Sequence, residues 1–241
     1  MLPPRALFLD FGGVIAEAAD NTVDPAIYAQ VHRIIRGALP IEKIRADMDT
    51  ADEARDAWRS DPANPEITHA QLWGAYVAKD WPVPAKAAVV EHCAELSFAW
   101  ADRRWSVVEG IPELLEYTLG RGIPVAVVSN TRCGRPYRQF IERAGLAGGF
   151  AAQYYSDEVG VFKPNTEMLL TAARFLDEPI GKCWFVGDSV NRDVACGRAA
   201  GIGAMILRPS ASWSSEDKDA ADVDAVAADG HEILKLLKTA N

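Results

Sequence analysis

Three short, uninterrupted apolar runs constrain what this 241-residue chain can fold into: ALFL at 6–9, IPVAVV at 123–128 and CWFV at 183–186. Such runs lack the alternation of a half-exposed strand and are too short for independent helices, so they read as strands covered on both faces. Each ends in polar or small residues: Asp10 before Gly12-Gly13, Ser129-Asn130, and Gly187-Asp188. A fourth apolar stretch, 202–207, closes the series. Helical patterns lie between them, opened by Pro112 at 110–120, closed by Gly145 after Arg143, and recurring at 165–176, 190–200 and 231–238. Segment 150–156 reads as a further strand and 160–164 as a loop. Strands alternating with helices predict an α/β fold, a doubly wound parallel sheet that binds ligands at the carboxyl ends of its strands.

Residues 18–101 break this rhythm with four helical patterns and no clear strand. Asp24-Pro25 opens the first (24–39), with Ile27, Val31, Ile34 and Ile35 at helical spacing. The second (41–59) is highly charged, Thr68 caps the third through Trp81, and Pro84 starts the fourth through Trp100. The expected organisation is therefore an α/β core, 1–17 and 102–241, interrupted by a helical unit at 18–101. An insertion after the first strand lands beside Asp10, where a lid belongs.

The formal net charge of −9 offers no basic stripe, so neither nucleic acid nor an anionic membrane is an expected partner. An anionic substrate would need a locally positive pocket, or a metal, to hold it against that field. No run of 18 apolar residues and no signal-peptide pattern is present, and the four cysteines form no C-x-x-C or zinc spacing. The expected setting is cytoplasmic. The oligomeric state is not readable.

Asp10, Ser129, Lys163 and Asp188 each follow a strand or the loop beyond one, so the sheet brings them to one edge. Singly, each has a plain alternative: Asp10 a turn cap, Ser129 a helix cap, Lys163 a solvated lysine, Asp188 a turn residue, and Asp193 an exposed helix position.

Taken in order, LFLDFGGVI, VAVVSNT, GVFKPN and FVGDSVNRDVACGRAAG resemble the four motifs of the haloacid dehalogenase-like hydrolase superfamily. The resemblance covers about two-thirds of the chain and implies a Rossmann-like core, with 18–101 similar to the all-helical caps of the family. It makes Asp10 a nucleophile that forms an aspartyl-phosphate, splitting one hard hydrolysis into two easier steps. It assigns Mg²⁺ to the carboxylates of Asp10 and Asp188 and the backbone carbonyl of Gly12, with Asp193 in support. Ser129 and the backbone amide of Asn130 would hold phosphoryl oxygens, and Lys163 would neutralise both phosphate and Asp10.

The implied activity is a phosphatase acting on a small phosphorylated metabolite. One position departs from the pattern: phosphatases of the family usually carry an acid two residues after the nucleophile, and here that residue is Gly12. Carbon–halogen hydrolysis, carbon–phosphorus hydrolysis and a non-catalytic phospho-ligand module are the alternatives. Lys43, Lys79 and Lys86 are Schiff-base candidates by location alone. Retention of Asp188 weighs against the dehalogenase, which lacks an acid there. Cap residues with a chance of facing the cleft are Arg33, Arg36, Lys43, Arg45, Arg55, Arg59, His69 and Trp73.

Overall fold

A computed structural model describes residues 1–19, 22–209 and 222–240. Parts of the expected core and helical unit, 20–21, 210–221 and 241, lie outside the described residues. Among the described residues, six strands form one sheet, all pairs parallel: β1 (Ala6–Leu9), β4 (Val125–Ser129), β5 (Ala152–Tyr155), β6 (Cys183–Gly187), β7 (Ala204–Leu207) and β8 (Ala225–Val226), in the order β5-β4-β1-β6-β7-β8. The chain winds outward from β1 through β4 to β5, then returns to place β6 on the other side of β1. That reversal opens the crevice at the carboxyl ends beside β1.

The period of two decides which side chains face which layer. Leu7 and Leu9 point into an apolar core shared with Leu114, Ile141, Ile233 and Leu237, from α6 (Ile111–Gly120), α7 (Arg135–Arg143) and the terminal helix α11 (Gly230–Thr239). Ala6 and Phe8 point oppositely, into a second core with Met168, Leu169 and Ala172 of α9 (Glu167–Phe175) and Cys196 of α10 (Ala195–Ala200). All four β1 side chains are buried, which is why the run carries no polar residue.

The helical stretch has an apolar core of its own, including Ile27, Val31, Ile44, Met48, Trp73, Val89, Leu96 and Trp100. It comprises α1 (Ala26–Ile34), α2 (Ile41–Trp58), α3 (His69–Gln71, passing into a π-helical stretch at Leu72–Val77), α4 (Val83–Glu91) and α5 (Cys93–Ala101). Thr68 and Gln71 form a reciprocal capping box at the start of α3. The pattern read as one helix over 84–100 is two, parted at His92. The first helix stops at Ile34 rather than 39, where Arg36 and Gly37 take positive φ (54° and 72°).

The entrance and exit of this stretch are tied together. β2 (Ala16–Ala18) and β3 (Trp105–Val107) form a two-stranded antiparallel ribbon that periodicity over three residues is too short to reveal. β8, two residues long, and α8 (Ser156–Val159) escape sequence reading for the same reason. Among the described residues, no helix is long and apolar enough to cross a membrane.

Candidate active site

β1 ends at Leu9, and the next residue, Asp10, is anchored by its backbone N–H to the Val186 carbonyl of β6 (2.9 Å). Its side chain therefore rises from the strand ends at the crevice, 8% exposed. Lys163 comes from the loop beyond β5 and is 2% exposed. Its ammonium donates to Val128 O (2.8 Å) and pairs with Asp10 Oδ1 (2.9 Å) and Asp193 Oδ1 (2.7 Å). Burial works against this charge, but Asp10 and then Asp193 outweigh it and hold the ammonium above its usual pKa range. So Lys163 is a buried, permanently charged group and not a solvated lysine.

Asp193 lies on a π-helical turn, Val190–Val194, and is 1% exposed. Its Oδ2 accepts from the N–H groups of Asp188 (3.1 Å) and Ser189 (3.0 Å), while Oδ1 faces Lys163. Both oxygens are engaged, so Asp193 sets the loop that carries Asp188 and supports the site from behind. Gly187 is obligatory for this approach, because a Cβ there would overlap the Asp193 side chain.

Ligand oxygens of Asp10, Asp188 and Asp193 lie within 4.8 Å of one another. Three carboxylates face one ammonium. Burial raises the pKa of Asp10, with Lys163 opposing the shift. Asp188 is pushed up to about 7, first by burial and then by Asp10 and Asp193. Asp188 Oδ1 is buried without a hydrogen-bond partner; its nearest cation is Arg192 Nη2 at 4.0 Å. Asp10 Oδ1 and Asp193 Oδ1 likewise lack a hydrogen-bond partner beyond their ion pairs to Lys163, and a crowded set of hard oxygens with surplus negative charge fits a divalent cation of the Mg²⁺ type.

The loop after Asp10 separates two adjacent glycines. Gly13 has φ of 74°, and a Cβ on it would overlap Asp188 Oδ2; its N–H bonds Ala16 O (2.9 Å). Gly12 has no positive φ, and a Cβ on it would meet nothing within 4 Å. Backbone geometry therefore demands Gly13 and leaves Gly12 open.

Ser129, the last residue of β4, is 3% exposed and its hydroxyl lies close enough to the Asp10 carboxylate to favour its charged form. The Asn130 side chain clamps the Lys163 backbone, accepting from its N–H (2.7 Å) and donating to its carbonyl (2.8 Å). It thus fixes the lysine rather than pointing into the crevice. Sequence reasoning missed the next layer. The Thr131 N–H donates to Ser156 Oγ (2.9 Å), and Ser156 Oγ donates back to Thr131 O (3.0 Å).

Of the helical candidates, Arg55, Arg59 and His69 reach the core. Arg55 Nη2 donates to Thr131 O (2.9 Å), Arg59 Nη2 to Thr131 O (3.2 Å) and Ser156 Oγ (3.0 Å), and both pair with buried Glu66. His69 Nε2 meets Arg132 O (3.0 Å) and Asp157 Oδ2 (3.6 Å). Arg33, Arg36, Lys43 and Arg45 are exposed. Trp73 is fully buried and donates to Ser97 Oγ (3.1 Å), so it is core.

No curated protein sequence matches the chain. Solved structures resemble it throughout: a 2-haloacid dehalogenase from Pseudomonas syringae (15% identity, TM-score 0.64, 99% of each chain), a hydrolase from Bacillus subtilis bound to magnesium (16%, 0.61, 98% and 99%) and a phosphatase from Thermococcus onnurineus (17%, 0.55, 96% and 97%). At these identities they speak to the fold alone. The family model for haloacid dehalogenase-like hydrolases matches residues 4–201, more than three-quarters of the sequence, and the chain belongs to that family.

Proposed function

We propose that this hydrolase is a Mg²⁺-dependent phosphatase for a small phosphorylated molecule, with the helical unit as its cap. The observation that carries the reading is the Asp10–Asp188–Asp193 cluster, whose excess negative charge and orphaned Asp188 oxygen suit a divalent cation. Carbon–halogen cleavage by the same aspartate needs no such cluster.

Asp10 is the nucleophile. Its carboxylate oxygen attacks phosphorus, the ester oxygen departs with the bonding pair, and an aspartyl-phosphate forms. Lys163, held between Asp10 and Asp193, neutralises charge that would otherwise repel a phosphate dianion. Ser129 and the backbone N–H of Asn130 orient the phosphoryl oxygens. Asp188 and Asp10 with the Gly12 carbonyl would hold Mg²⁺, which supplies further charge neutralisation when bound. Water attacks the phosphorus of the intermediate and returns Asp10 to its carboxylate. With Gly12 in place of an acid, the leaving oxygen takes its proton from solvent.

The fold likeness to a 2-haloacid dehalogenase keeps a second reading in play, and one pair of assays separates them. Phosphate release from a panel of monoesters should require Mg²⁺ and disappear in Asp10→Asn, with chloride release from 2-chloropropionate absent. Metal-independent chloride release would replace the phosphatase reading with the dehalogenase one.

A further inference from the structure

On a chain of net charge −9, four guanidinium groups converge on one cavity of about 240 Å³ between the helical unit and the sheet edge. Arg55 reaches it from α2, Arg59 from the residue that ends that helix, Arg103 from the segment after α5, and Arg132 from the loop after β4. Ion pairs to Glu66 and Asp52 offset only part of this charge. Arg103 donates to the Trp100 and Asp102 carbonyls (2.7 and 2.8 Å). Arg132 lies against the Trp100 ring (4.2 Å), and its Nε is buried with no hydrogen-bond partner. The groups repel one another: burial first, then Arg59, lowers the pKa of Arg55 to about 10, and burial followed by Arg132 lowers that of Arg103.

Such crowding is costly unless an anion relieves it. The cavity adjoins the nucleophile, since Asn130 lines it while clamping Lys163. Tyr137 lines it too, stacked at 4.4 Å on Phe11, the neighbour of Asp10.

We propose that this cavity binds a second anionic group of the substrate, so that the substrate is a small phosphate monoester bearing a carboxylate or a further phosphate. The proposal rests on the phosphatase reading for the first group and on the arginine cavity for the second. Planar guanidinium forks match either oxyanion, and each charge-assisted pair adds selectivity that an uncharged tail cannot draw on.

The test is calorimetric binding, in Mg²⁺ buffer, of two non-hydrolysable ligands of equal length. These are 3-phosphonopropionate and propylphosphonate, which differ by a carboxylate in place of a methyl. The wild type should bind the first about 10–100-fold more tightly, the range of a charged hydrogen-bonded contact. Arg103→Met and Arg132→Met should each bring that ratio towards one. Arg103 is the cleaner site, because its bonds stay within its own segment, whereas Arg132 also ties to Asp52 and Trp100. Propane-1,3-bisphosphonate reports whether the preferred second group is a phosphate, and tenfold tighter binding of either ligand with two anionic groups supports the proposal.

Both ligands with two anionic groups binding no better than propylphosphonate would overturn it, as would a preference that survives in both variants. Equal loss of both ligands in both variants would also overturn it, since the arginines would then merely hold the structure together. Failure of the phosphatase reading is separately visible: the wild type would release no phosphate from any ester while the ligand preference stood.

Discussion

Lys163→Met tests the electrostatic account most directly, because it removes one charge while nearly keeping side-chain volume. The ammonium meets carboxylate oxygens at 2.9 and 2.7 Å. At an effective dielectric of about 20 each contact has a gross attraction of about 6 kcal/mol, much of it offset by desolvation. Removing one partner of a buried set, which strands the others, costs about 3–5 kcal/mol. For a chain this size that lowers Tm by about 6–20 °C, at roughly 2–4 °C per kcal/mol. The loss should depend on pH with a definite sign. Without the lysine, the burial that already raises the folded pKa of Asp10 acts with less opposition, so the native state binds more protons than the unfolded one and stability falls as pH rises. Thermal melts of both proteins at pH 5 and pH 8, without metal, should show the larger deficit at pH 8, and Mg²⁺ should restore part of it. A deficit below about 1 kcal/mol, or one equal at both pH values, would refute the argument that Lys163 balances a buried anionic cluster.

The strand ends were legible in sequence because burial on both faces of β1, β4 and β6 removes every polar residue from the run. The first polar residue is then by necessity at the edge, and Asp10, Ser129 and Asp188 were placed this way. The two neighbouring glycines were not distinguishable. Their letters are identical, and only φ and the proximity of Asp188 show that Gly13 is required while Gly12 is not. From its own residue pattern Asp193 reads as an exposed helix position, and only the family resemblance gives it a supporting role at the metal, since its N–H donors at Asp188 and Ser189 and its lysine come from two separate stretches of the chain. In the helical unit, Arg45 and Arg55 on the same helix carry equal sequence signals; one is exposed and the other buried against Thr131. The difference is set by which face of α2 docks on the core, and a charged helix of weak amphipathicity does not encode that visibly. Arg132 follows the S-N-T motif directly, which is the one hint in the sequence that the loop brings a cation to the cavity.

Three further outcomes follow from the same geometry. Gly13→Ala forces a left-handed backbone on a residue with a Cβ, at about 1–2 kcal/mol, and drives that Cβ into Asp188. Mg²⁺ titration should therefore show weakened metal activation beyond the small drop in Tm, and an unchanged metal requirement would count against Asp188 as a ligand. His69 is held up to about 10, chiefly by Asp157 and then Cys133. Its contribution to stability is fully present below about pH 6.5 and is lost as pH rises through about 10, so His69→Gln should flatten the decline in Tm across that window. Gly12→Asp bears on the chemistry itself. With no acid at this position, wild-type rate should fall steeply as the leaving group becomes more basic, aryl and acyl phosphates outrunning alkyl ones. The backbone at Gly12 admits a side chain, and a Cβ there meets nothing within 4 Å, so the variant should fold with stability within about 0.5 kcal/mol of wild type. Placed beside the departing oxygen, the new carboxyl can donate a proton and then activate water, help typically worth about 10²–10⁴ in rate. A plot of log kcat/KM against leaving-group pKa should become shallower, with the gain concentrated in alkyl phosphates. If wild type shows no leaving-group dependence, another residue already protonates the oxygen, and the assignment of solvent to that step is wrong. If the dependence is present but a well-folded variant leaves it unchanged, the side chain at position 12 does not reach the leaving oxygen, and phosphate must sit in the crevice in a different orientation.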